Sequence, residues 1–255
     1  MTARIIFMGT PEFAVPTVKA LIKSEYELVA VVTQPDRPRG RGQKLMTGPV
    51  KALALAHGLP VLQPQRLKDP ELLQTLRGWD PDLLVVAAYG RLLPSELLAL
   101  PRVGPLNVHA SLLPRHRGAA PVNWALFEGD EKTGVTIMWM VEELDAGPIF
   151  LQEEVAVDPE DNAATLAARL AERGAALLVK ALEELRQGRL VKKPQPQEGV
   201  TFAPPLTPAL RVIDWSLPAP AVAGRIRGQD PRPGAYTRWQ GEQLLLFGAR
   251  VAAQD

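Results

Sequence analysis

The chain has no cysteine among its 255 residues, which excludes disulfides, thiolate metal sites and cysteine nucleophiles. Without cysteine, side-chain chemistry must come from His, of which there are 3, or from Asn, Asp, Ser or Lys, and only 5% of the residues are aromatic. An excess of either charge is missing too. With 29 basic residues against 28 acidic ones, net +1, there is no global polyanion-binding signature, and any nucleic-acid site must arise from local clustering. No run approaches the roughly 18 apolar residues of a membrane-spanning helix. The N-terminal MTARIIFMG lacks the basic flank, long apolar run and cleavage site of a signal peptide. A cytoplasmic protein with no membrane partner is therefore expected. No P-loop, nucleophile elbow or His-Glu-x-x-His pattern occurs, which removes the usual routes to phosphate, serine-nucleophile or zinc chemistry. What the chain does have is a hydrophobic fraction of 46%, ample for a core, and 25 prolines that stiffen its loops.

The length suits one full domain plus something smaller. Ala3 to Met8 reads as a buried strand running into Gly9-Thr10-Pro11, followed by a helical stripe through Phe13, Val15, Val18, Leu21 and Ile22. Further strands are expected at Tyr26–Thr33, Pro60–Leu62, Leu83–Ala87 and Val103–His109, with helices near Pro49–His57, Asp69–Arg77 and Pro94–Leu100. Apolar strands alternating with helices predict a doubly wound, mostly parallel, Rossmann-like α/β sheet with ligands beyond the carboxyl ends of its strands. Two more strands at Thr133–Met140 and Pro148–Ala156 and a long helix at Ala163–Gly188 complete this domain, residues 1–190. The Pro-rich stretch 191–208 reads as a linker. Residues 209–255 then supply a strand at Ile213–Ser216, a helix near Pro218–Gly228 and strands at Ala235–Trp239 and Leu244–Phe247. Gln34 to Gly48 is expected to be one long polar loop.

The segment NVHASLLPRHRGAAP, Asn107 to Pro121, puts an amide and an imidazole two residues apart at a strand end, where both project to one side. Ser111, Pro114, Gly118 and Pro121 then force a shaped loop. Asp145, in a Gly-flanked loop, could complete a triad with Asn107 and His109. Such a trio can merely satisfy its own hydrogen bonds. It can also work chemically, with Asp145 fixing the imidazole tautomer and favouring its charged form while Asn107 donates toward a developing oxyanion. A metal on His109, His116 and Asp145 is a further alternative that the spacing does not support. Gly9-Thr10-Pro11 supplies one glycine where a dinucleotide fingerprint needs three.

The loop QPDRPRGRGQKLMTG sets Arg37, Arg39, Arg41 and Lys44 against Asp36 alone. It reads either as solvated surface or, at a sheet edge where ligands enter, as a flexible contact to RNA phosphates. Two further basic stretches, Arg186, Arg189, Lys192 and Lys193, then Arg225, Arg227, Arg232 and Arg238, could extend an anion-binding face.

Together GTPEFA, QPDRPRGRGQKL, NVHASLLPRHRGAAP, TGVTIMWMVEELDAG, RVIDWS and IRGQDPRPGAYT resemble the methionyl-tRNA formyltransferase family, over essentially the whole chain. The Asn/His/SLLP/Asp set alone marks the broader folate-dependent formyltransferase group, and the basic loop and IRGQDPRPGAYT narrow it. The resemblance implies 10-formyltetrahydrofolate as formyl donor, initiator methionyl-tRNA as acceptor, no metal, and a monomer. It implies Asn107, His109 and Asp145 as catalytic residues. It further implies Ser111, Leu112, Leu113 and Pro114 as folate contacts and Arg37, Arg39, Arg41 and Lys44 as tRNA contacts. Family members carry a full C-terminal barrel that helps bind tRNA. Residues 209–255 are expected to form an incomplete small β-barrel-type version of it. A nucleotide-linked amino sugar or glycinamide ribonucleotide as acceptor is the alternative within the same chemistry; a non-catalytic folate- or RNA-binding protein is the alternative outside it.

Overall fold

The structure, a computed structural model, describes residues 3–39 and 44–252. Ile5 to Met8, inside the first strand β1 (Arg4–Gly9), are fully buried, as a parallel strand covered on both faces requires. Helix α1 (Val15–Lys23) and strand β2 (Glu27–Val32) come next. A hairpin of β3 (Arg37–Arg39) and β4 (Lys44–Met46) leads to α2 (Pro49–Ala56), β5 (Val61–Leu62), α3 (Pro70–Gly78) and β6 (Leu83–Ala87). Then come α4 (Ser95–Leu98), β7 (Gly104–His109), β8 (Arg117–Gly118) and α5 (Pro121–Phe127). Strands β9 (Lys132–Trp139) and β10 (Ile149–Ala156) precede the long helix α6 (Ala163–Arg186). The chain continues through β11 (Phe202–Ala203), α7 (Ala219–Arg227), β12 (Ala235–Trp239) and β13 (Glu242–Leu246).

Seven strands form one sheet in the order β10-β9-β7-β6-β1-β2-β5. The β1–β2, β1–β6, β2–β5 and β6–β7 pairs are parallel, and β9 adds antiparallel to β7, with Thr136 opposite His109 and Met138 opposite Asn107. The order reverses at β1: the chain moves outward through β2 and β5 and returns on the other side of β1 as β6. Such a reversal opens a crevice at the strand carboxyl ends.

Two compact units divide the chain, the first comprising Met1–His109, Thr136–Gln152 and Ala171–Gln195, the second Ala110–Val135, Glu153–Leu170 and Pro196–Asp255. In the first, Ile6, Met8, Leu76, Leu84, Tyr89 and Leu97 centre a large core cluster. In the second, Ile213, Val222, Ile226 and Ala235 make a small one. Local signals set the helix starts. Asp69 accepts from the Glu71 amide with Pro70 in the first turn of α3, and Asn162 accepts from the amides of Ala164 and Thr165 at the head of α6; each satisfies donors that a helix start leaves orphaned.

Three expectations change. The basic loop is not unbroken, because Arg37 to Arg39 pair with Lys44 to Met46 as a short hairpin. Ile213–Ser216 is not a strand: Val212 makes one bridge to Tyr236, after which Asp214 Oδ1 accepts from the amide and hydroxyl of Ser216 and turns the chain. The shaped loop after His109 ends in a helix, since Pro121 occupies a first-turn position of α5 where its missing N–H costs nothing. The segment 191–208 has little regular structure, but Lys193 bridges to Ile149 and β11 pairs in parallel with β8.

Leu84 lies at the centre of β6, 1% exposed. Its replacement by Ala should lower the unfolding free energy by about 3 kcal/mol, read as an earlier urea midpoint with an unchanged m-value.

Candidate active site

Asn107 and His109 lie two residues apart at the end of β7, 9% and 5% exposed. Their equal parity puts them on one face. The third group comes from the connection between β9 and β10, where Asp145 takes a left-handed backbone conformation, φ +50°, that short polar residues tolerate better than most. From there Asp145 Oδ2 lies 3.6 Å from His109 Nδ1, and Asn107 Nδ2 donates to Asp145 Oδ1 at 3.5 Å. The structure thus brings together all three residues expected to form the triad. These separations are long, which is common for catalytic contacts in substrate-free sites. The carboxylate side chain is 11% exposed, so its charge needs the polar neighbours that surround it.

Residues not singled out in the sequence support this arrangement. Thr136, fully buried, stands opposite His109 on β9, and its hydroxyl accepts from Gln152 Nε2 at 2.9 Å. Gln195 Nε2 donates to the carbonyl oxygens of Asp145 and Gly147 at 2.7 and 2.8 Å. Gly147 is required where it stands, because a Cβ there would sit 1.8 Å from the Trp139 carbonyl oxygen. The strand position of Thr136 was readable from alternation. A glutamine inside a Pro-rich, aperiodic segment carries no such signal.

The base of the basic loop is built by a polar network on the same unit. The Gln34 backbone N–H donates to the Thr10 hydroxyl oxygen at 3.0 Å, and Gln34 Nε2 donates to the Tyr89 carbonyl at 2.6 Å. Gln63 Nε2 donates to the Gln34 carbonyl and to Asp36, and Lys51 Nζ donates to Asp36 and to Gln63. Hydrogen bonds from Lys51 and Gln63 hold the Asp36 carboxyl below its ordinary pKa. Arg37 is exposed and reaches Gln34 Oε1 at 3.3 Å. Arg39 and Lys44 take backbone places in β3 and β4; Arg41 lies outside the described residues.

The four residues expected to contact folate belong to the second unit. Ser111 is fully buried and donates to the Arg115 carbonyl at 2.6 Å, Leu113 is buried, and Leu112 and Pro114 are partly exposed. In the same unit His116 Nε2 lies 2.6 Å from Asp130 Oδ2, whose other oxygen accepts from Arg115 at 2.5 Å. His116 is thus engaged with Asp130. Burial pushes the Asp130 carboxyl up, but His116 and Arg115 outweigh it and hold the group below its ordinary value. Other basic residues are also matched internally: Arg186 with Glu183, Arg189 with Glu184, Lys192 over the Trp139 ring and Arg225 over Phe127. That reduces the positive face expected from them.

The sheet is doubly wound, its strand β7 ends in an amide and an imidazole facing a carboxylate, and the formyl transferase family model matches residues 3–182. The chain belongs to that family. A model for the formyl transferase C-terminal domain matches residues 205–255. Among relatives, the chain is 52% identical over 248 residues to a protein of Moorella thermoacetica named methionyl-tRNA formyltransferase, covering 97% of this chain and 80% of that one. A protein of the same name from Caldanaerobacter subterraneus subsp. tengcongensis is 49% identical over 249 residues, covering 97% and 81%. Among solved structures, HypX from Aquifex aeolicus in complex with tetrahydrofolic acid superposes with a TM-score of 0.71 at 21% identity, over 97% of this chain and 38% of that one. A 4-N formyltransferase from Francisella tularensis gives 0.74 at 17% identity, over 99% of both chains. At those identities the structures show the shared fold. Among the described residues no helix is long and apolar enough to cross a membrane.

The Asp130 cluster yields a prediction with a definite sign. Its folded-state pKa lies below the ordinary 3.8, so the ionised group's contribution to stability is complete above that value and disappears as pH falls through the folded-state pKa. Asp130→Asn should cost roughly 3 kcal/mol at neutral pH. Denaturant titrations across pH should show the gap to wild type closing below about pH 4.

Proposed function

We propose that this chain transfers the formyl group of 10-formyltetrahydrofolate to the α-amine of initiator methionyl-tRNA. The observation that carries the reading is the convergence of Asn107, His109 and Asp145 at the end of β7, in a chain about half identical to relatives bearing that activity in their names. The amine nitrogen attacks the formyl carbon and the C–N10 bond of the donor breaks. The amine's proton is lost to solvent or His109, and N10 leaves with a proton from one of them. Asn107 Nδ2 donates to the oxyanion of the tetrahedral intermediate. Asp145 orients the His109 ring through Nδ1, leaving the far side of the ring for the reacting atoms. No covalent intermediate on the protein is needed. Ser111, Leu112, Leu113 and Pro114 are assigned to the folate donor, and Arg37, Arg39, Arg41 and Lys44 to the tRNA backbone. Arg37's exposure at the end of a hydrogen-bonded base supports the latter assignment. The protein acts in the cytoplasm, as a monomer, with residues 1–190 as the catalytic domain and 209–255 assisting tRNA binding.

Purified protein should formylate methionyl-tRNA with 10-formyltetrahydrofolate as donor. Asn107→Ala should lower kcat by about 10²- to 10³-fold, and His109→Ala by at least as much, in a filter-binding assay of labelled formyl. Equal rates in wild type and both variants would remove the catalytic assignment. Transfer to a nucleotide-linked amino sugar in place of tRNA would move the acceptor. Arg41→Ala should raise KM for tRNA and leave donor KM unchanged; a raised donor KM instead would reassign the loop.

A further inference from the structure

We propose that Gln195 is a positioning residue for the formyl-transfer step, acting through the backbone on either side of Ala146 to hold the Asp145 carboxylate against His109 and Asn107. The inference rests on the assignment of Asp145 to the reacting centre. Asp145 sits in a connection between strands, in a left-handed conformation that costs a non-glycine residue about 1 kcal/mol or more and persists only where the surroundings fix it. The fixing is visible. The Gln195 amide nitrogen has two N–H donors, and two carbonyls lie within reach of it, those of Asp145 at 2.7 Å and Gly147 at 2.8 Å. It does so from a buried position, 8% exposed.

The residues leading up to Gln195 are themselves clamped to both ends of the same connection. Lys193 exchanges backbone hydrogen bonds with Ile149, at 2.7 and 2.9 Å, which fixes the chain where β10 begins. Lys192 Nζ lies 3.3 Å from the centroid of the Trp139 ring, where β9 ends, and the Trp139 amide donates to the Pro148 carbonyl at 2.9 Å. Residues 192–195 therefore act as a strap, and the Gln195 side chain is its point of contact with the turn that carries Asp145. Glutamine suits the task for a chemical reason. A glutamate would set a carboxylate against two carbonyl oxygens, an asparagine is one methylene short, and an alanine leaves both carbonyls without these donors.

The test is a double-mutant cycle with Asp145. Gln195→Ala should lower kcat by 10- to 100-fold, the scale of a small misplacement of a reacting group, while KM for methionyl-tRNA and for the donor stays within twofold. Gln195→Glu should do the same. In an Asp145→Ala background, Gln195→Ala should have no further effect on kcat, since it has nothing left to position. A readout that needs no turnover runs alongside: the 15N resonances of the His109 ring should move in Gln195→Ala in the same direction as in Asp145→Ala. Additive losses in the double variant, or unmoved His109 resonances with an unchanged kcat, would overturn the proposal. So would a lowered melting temperature accompanied by raised KM values at constant kcat, which marks a purely structural role. If wild type fails to formylate methionyl-tRNA while the His109 resonances still respond to Gln195, the acceptor assignment falls and the positioning role stands.

Discussion

One nearly buried negative charge sets the conditions for the site. A carboxylate as enclosed as that of Asp145 is costly to desolvate and survives only among groups that answer it. The answer comes from β7, which supplies an amide and an imidazole on one face, 3.5 and 3.6 Å away. Those distances depend on the sheet. β9 adds to β7 antiparallel, so the chain turns back beyond the end of β9 and delivers the Asp145 connection to the neighbourhood of Asn107 and His109. Gly147 permits the close backbone approach and Gln195 ties the turn down. Asn107 and His109 are thus borne by one regular strand and Asp145 by a connection tethered at several points, which holds the three side chains in place.

The base of the basic loop is held by polar groups in the same way. Asp36, Lys51, Gln63 and Gln34 form a closed hydrogen-bonded set. Its charge balances internally, Lys51 against Asp36, and the neighbouring Arg37 is exposed.

Much of the arrangement was legible because it follows short-range rules. The apolar run of Leu83 to Ala87 and the two-residue spacing of Asn107 and His109 are periodic, and periodicity survives folding. The meeting of these residues with Asp145 was suggested by residue type; only the sheet order, which pairs β7 with β9, brings it about. Where sequence reasoning differed from the structure, a local hydrogen bond had redirected the backbone, as Asp214 does by capturing Ser216, or a cross-strand register formed inside a polar stretch, as between Arg37 and Met46. Gln195 was illegible for another reason. It acts over a sequence separation of about fifty residues through its side-chain amide, and no pattern in a proline-rich stretch announces that.

The glutamine that roots the basic loop also ties together two strand ends of the sheet. Its Nε2 spans from the end of β2 to the Tyr89 carbonyl just beyond β6, passing the end of β1, and a Cβ on Gly90 would come within 2.8 Å of it. That is the location where an open α/β sheet ordinarily admits the phosphates of a dinucleotide. Here the Gln34 side chain reaches across to Tyr89, and Asn107 and His109 stand at the end of β7, which lies beyond β6 from the reversal.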